Sequence, residues 1–91
     1  MTKTEIVLLN NVLDGLDRLF DSQSKAIDIH TLLLATSKDL TESNWIDSFN
    51  TVIRQLEYIL TLNISEEQIR EKALDATNEL RISIADVLPF P

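Results

Sequence analysis

His30 is the only histidine in the chain, set among 15 acidic side chains and no cysteine. A metal centre on His30 would have to complete its shell with carboxylates alone, and the Glu-x-x-His pairs of di-iron helical proteins do not occur. Nucleophilic catalysis of the Ser-His-Asp kind would need His30 as its base, and no serine stands in a glycine-flanked elbow. Paired carboxylates could hydrolyse a glycosidic bond, but such pairs work in a cleft, and the core positions of this chain are aliphatic. A single glycine cannot furnish either of the Gly-rich phosphate loops. The residues therefore predict no enzyme, no metal and no cofactor, and His30 reads as a surface or helix-end side chain.

The elements that would position these residues are helices. Apolar residues recur at spacings of three and four throughout, and period-two alternation never persists. A first helix is predicted from about Lys3 to Asp21, with Thr2 and Glu5 as a capping box and a stripe of Ile6, Leu9, Val12, Leu13, Leu16, Leu19 and Phe20. Gly15 lies in that stripe, where it weakens the helix by up to ~1 kcal/mol relative to Ala, and a close helix crossing would account for it. A second helix is predicted to start with Asp28 as its cap and Ile27 and Leu32 as a hydrophobic staple, with Ile29, Leu32, Leu33, Thr36 and Leu40 inward.

A third helix, about Trp45 to Leu60, carries Trp45, Phe49, Val52, Leu56 and Ile59 in one row, flanked by Ile46, Ile53 and Leu60. The fourth opens with a Ser65–Gln68 capping box and an Ile64–Ile69 staple, points Ile69, Ala73, Ala76, Thr77, Leu80, Ile84, Val87 and Leu88 inward, and ends at Pro89. Its Ala and Thr positions thin the stripe so that another helix can approach. Phe90 is expected to dock on the core. With short connections, the pattern predicts an all-α fold, an antiparallel four-helix bundle, in a single domain over residues 1–91.

The chain carries a net charge of −7, with 44% hydrophobic and 25% charged residues. That composition is globular, and the scattered lysines and arginines argue against nucleic-acid binding. The first twenty residues predict no signal peptide, and no run reaches the ~18 apolar residues that a membrane span needs. A cytoplasmic location is expected. A negative field of this size favours a basic partner and salt-sensitive association with it.

One surface breaks the usual pattern. On the fourth helix Glu67, Glu71, Asp75 and Glu79 follow each other at spacing four, Asp86 lies near the same line, and Ile82 stands within the acidic arc. Like charges at that spacing repel by about 0.2–0.5 kcal/mol per pair, and Arg70 is expected to offset only part of this. An exposed apolar residue ringed by carboxylates is a candidate contact centre for a basic protein. On the first helix Asp14, Asp17 and Asp21 share a side near Val7, with Arg18 placed to pair with Asp14 and Asp21.

In size, acidity and helical make-up the whole chain resembles the small bacterial immunity proteins that neutralise bacteriocin or contact-dependent toxin nucleases. The resemblance implies a protein-binding inhibitor whose acidic face covers a basic toxin domain. It carries over no residue roles: nuclease-colicin immunity proteins place two adjacent tyrosines on a short third helix, and this chain has Tyr58 alone, on a long one. A homodimeric structural or adaptor module is the alternative, with Val7, Leu8 and Leu34 as its contacts.

Overall fold

Thr2 begins the fold in the computed structural model, which describes residues 2–88. Its hydroxyl accepts the Glu5 N–H at 3.1 Å, and the Glu5 carboxylate accepts the Thr2 N–H at 3.4 Å. Together they satisfy two of the donors that a helix start leaves free. The described chain is all-helical: α1 (Lys3–Phe20), α2 (Ala26–Ser37), α3 (Ile46–Leu60) and α4 (Glu66–Val87), with no strand among the described residues.

The same reciprocal cap starts α4, where Ser65 accepts from Gln68 N–H at 3.1 Å and Gln68 accepts from Ser65 N–H at 3.2 Å. α2 starts differently from the sequence expectation. Lys25, not Asp28, is the cap residue, and Asp28 lies inside the first turn, accepting the Lys25 N–H at 2.9 Å. Ile27 is consequently 50% exposed and forms no buried staple. α3 has no side-chain bond from its cap residue, Trp45. Its start is held from the loop instead: Ser43 accepts the Trp45 N–H at 3.2 Å and donates its own hydroxyl proton to Glu5 at 2.9 Å. Glu5 thus caps α1 and pins the α2–α3 connection to it.

α1 ends without a glycine. Ser22 takes a left-handed conformation (φ 63°), with its N–H bonded to the Leu19 carbonyl at 3.2 Å and the Gln23 N–H to the Arg18 carbonyl at 2.7 Å. These are the two bonds of a Schellman stop, made by a residue type that pays a steric penalty there. At the end of α4, Leu88 is extended (φ −73°, ψ 139°), the conformation a following proline favours. The expected roles of Pro89 and Phe90 lie outside the described residues.

Each helix packs on the next in sequence, and α4 returns to α1. Of the two diagonals, only α2 and α4 approach each other. α4 is the helix whose inward row is thinned by the buried Ala73 and Thr77. Between the helices, Leu9, Val12, Leu16, Leu19, Ile29, Leu33, Phe49, Leu56 and Ile84 are sealed from solvent, joined by Leu40 from the loop beyond α2. The buried hydroxyls are satisfied within their own helices: Thr77 donates to the Ala73 carbonyl and Thr36 to that of Leu32, both at 2.8 Å.

Gly15 is buried at the crossing of α1 and α2, where a Cβ would come within 2.5 Å of a Leu32 methyl. The weak helix former is what allows the approach. Two expected core residues are exposed, Phe20 at 55% and Val87 at 46%. Each occupies the last residue of its helix, where the inward row reaches the edge of the core. The Cα radius of gyration, 12.7 Å, is near the ~12 Å expected of a compact chain this long.

Candidate functional site

A helix turns 100° per residue, so carboxylates at spacing four advance about 40° at each step. Glu67, Glu71, Asp75 and Glu79 therefore wind across the outer face of α4. Ile82 falls in the middle of the arc they sweep, and Asp86 closes it one turn further on. The row Ala73, Thr77, Leu80 and Ile84 is buried on the opposite side. All six outer residues are exposed, with Ile82 at 51%. From Glu67 to Asp86 the face runs about 28 Å along the helix axis, at 1.5 Å per residue.

Of the three cations of α4, Lys72 is exposed and the two arginines turn to α1. Arg70 donates to the Phe20 backbone carbonyl at 2.7 Å. This satisfies an acceptor that a helix C-terminus leaves open, and it holds the guanidinium toward α1 without an ion pair to the acidic row among the described residues. Its Nε is buried without a partner. Arg81 donates through Nε to Asp17 at 2.8 Å, and its guanidinium lies 4.9 Å from the centre of the Phe20 ring. Phe20, Asp17 and the two arginines thus form the α1–α4 seam. Among the described residues no carboxylate of the α4 face takes part in an ion pair. Arg18 likewise makes no ion pair with Asp14 or Asp21 among the described residues.

His30 is a partly exposed residue within α2 rather than at a helix end. Its side chain is 16% exposed, and its Nε2 is 3.2 Å from a Glu57 oxygen on α3. It therefore ties two helices together. Among the described residues no three metal-ligating side chains converge. Glu5 is held below the ordinary glutamate range, chiefly by the Ser43 hydroxyl and then by the Thr2 N–H, with desolvation opposing. It lies on α1, in contact with the α2–α3 loop rather than with the acidic face.

The sequence reading missed a groove beside that face. Tyr58 is 67% exposed, and with Thr51, Gln55, Asp75 and Ala76 it lines an open depression of about 580 Å³ between α3 and α4. Past Thr51, Gln55 and Ala76 the depression continues into a second one of about 320 Å³, reaching Asp47, Glu79 and Ser83. Asp75 and Glu79 therefore belong both to the outer face and to the groove. The signal was Ala76, a small side chain at the edge of the inward row, which here leaves space along the α3–α4 seam.

Comparison with protein-family models, with curated proteins and with solved structures gives no match for this chain.

Proposed function

We propose that the chain is a cytoplasmic antiparallel four-helix bundle of the bacterial immunity or antitoxin type, which neutralises a basic toxin domain through the outer face of α4. The short connections and the cyclic packing of α1 to α4 support the bundle reading. Among the described residues no helix is long and apolar enough to cross a membrane. The observation that carries the functional reading is the row of exposed carboxylates around Ile82, none of which takes part in an ion pair among the described residues, on a helix whose two arginines turn to α1. A field of this kind steers a cationic protein into contact, and the apolar centre gives the contact something to bury. Inhibition then works by occlusion: the face covers the partner's own cationic surface and excludes its substrate from it.

The test is capture from native cell lysate at low salt, with elution by a salt gradient, using wild-type protein and the double reversal Glu71→Lys/Asp75→Lys. A basic protein retained by wild type and lost by the reversal supports the reading. Equal retention by both, or capture of no basic protein, refutes it.

A second reading, a homodimeric or adaptor module without catalytic activity, is favoured by one feature. Ile27 and Leu34, seven residues apart on α2, are 50% and 41% exposed, on one side of the helix. Of the other contacts expected for it, Val7 is 58% exposed, whereas Leu8 packs partly against the core. Sedimentation at micromolar concentration separates the readings: a tight dimer that Leu34→Glu dissolves supports the module, and a monomer contradicts it.

A further inference from the structure

Tyr58 is the most exposed of the large apolar side chains in the described chain, and it stands at the edge of an open, shallow groove. Opposite it, α4 supplies Asp75 and the small Ala76. Along the same groove Asp47 and Glu79 add two carboxylates, against Arg54 as the single cation lining it. Val52, Ile59 and Leu80 give it an apolar floor. An aromatic ring, an apolar floor and an excess of carboxylates together match one kind of side chain. Arginine has an aliphatic stem that packs on apolar surface, a flat cation that stacks on a ring, and donors that pair with carboxylates. Lysine lacks the flat face.

The molecule already contains this arrangement. The guanidinium of Arg81 lies over the Phe20 ring and is held by Asp17. Tyr58 and Asp75 line one depression as a ring and a carboxylate; Arg54 lines it too, but makes no ion pair with Asp75 among the described residues.

We propose that the α3–α4 groove is the anchor of the interface and receives an arginine side chain from a basic segment of the partner protein, its guanidinium against Tyr58 and Asp75 and its stem over Ala76. The proposal rests on the reading of α4 as a surface for a basic protein, and it names the subsite where that protein is gripped. Asp75 joins the two, since it lies on the outer face and in the groove alike. The outer carboxylates attract any cationic chain; the groove discriminates among them.

The experiment is titration of isotope-labelled protein with hexa-arginine and, separately, hexa-lysine at low salt, followed by amide NMR shifts. The expected result is saturable shifts at Thr51, Gln55, Tyr58 and Ala76, with hexa-arginine bound about threefold more tightly than hexa-lysine. Tyr58→Leu, at an exposed position that the fold does not depend on, should erase that preference, and Ala76→Met should abolish the groove shifts by filling the space. Shifts confined to Glu67, Glu71 and Ile82, with no preference for arginine, would overturn the groove and leave the acidic face standing. The absence of any saturable shift with either peptide would overturn both.

Discussion

Replacing Glu71 by Gln and Asp75 by Asn should stabilise the isolated protein while weakening its binding to a basic partner. The outer row of α4 contains three adjacent like-charge pairs, Glu67–Glu71, Glu71–Asp75 and Asp75–Glu79, and these two substitutions remove all three. At about 0.2–0.5 kcal/mol each, the released repulsion sums to about 1 kcal/mol. Gln and Asn differ little from Glu and Asp in helix propensity, so the backbone term nearly cancels. No ion pair is lost, because neither carboxylate has one among the described residues. For a domain of this length, 1 kcal/mol corresponds to a rise of about 4–8 °C in Tm. The assay is thermal unfolding followed by circular dichroism at about 0.01 M and about 1 M ionic strength, where the screening length is about 30 Å and about 3 Å. The gain should be present in low salt and largely gone in high salt. No gain in low salt, or the same gain at both, would show that the carboxylates do not repel and that α4 carries no uncompensated field.

Ser22→Gly should stabilise the protein by about 0.5–1 kcal/mol in denaturant unfolding, since glycine removes the steric penalty at φ 63° and keeps both bonds of the helix stop. A loss of stability would mean that the Ser22 side chain has an unrecognised role. Gly15→Ala should leave stability within about 1 kcal/mol of wild type, because a better helix former offsets the displacement of the Leu32 methyl, whereas Gly15→Val should cost about 1–3 kcal/mol. Equal stability of wild type and Gly15→Val would contradict the close α1–α2 crossing. The depressed pKa of Glu5 means that its contribution is present above the ordinary glutamate pKa and is lost as pH falls through the lowered one. Tm measured against pH should therefore separate wild type from Glu5→Gln near neutrality and converge in acid; a constant difference would refute the linkage.

The starts of α1 and α4 were legible in the sequence because their caps are local: Thr2 with Glu5 and Ser65 with Gln68 specify each other at a spacing of three. The helix rows were legible because burial follows the 3.6-residue period, and Gly15 announced a crossing because nothing else recommends a glycine inside an apolar stripe. Asp28 misled because a carboxylate satisfies a helix start equally well from the cap position or from three residues inside it, and the choice moves the boundary. Ile27 and its supposed staple followed that error. What escaped entirely depends on contacts across the fold. The sequence places Arg70 and Arg81 among carboxylates on their own helix, whereas the docking of α1 draws them to the Phe20 carbonyl, the Phe20 ring and Asp17. His30 and Glu57 lie 27 residues apart, and neither signals the other. The groove at Tyr58 is a property of two helices at once, and periodicity along either gives only the small residue, Ala76, that makes room for it.

The central claim is that the outer face of α4 binds a basic protein through its uncompensated charge. It is tested most directly by the affinity for the basic partner captured at low salt, measured across a salt series with wild-type protein and with Glu71→Lys/Asp75→Lys. The account predicts a wild-type affinity that falls steeply as salt rises, and a reversal variant that binds more weakly with a flatter dependence. Unchanged affinity in the variant, or equal salt dependence in the two proteins, would contradict it.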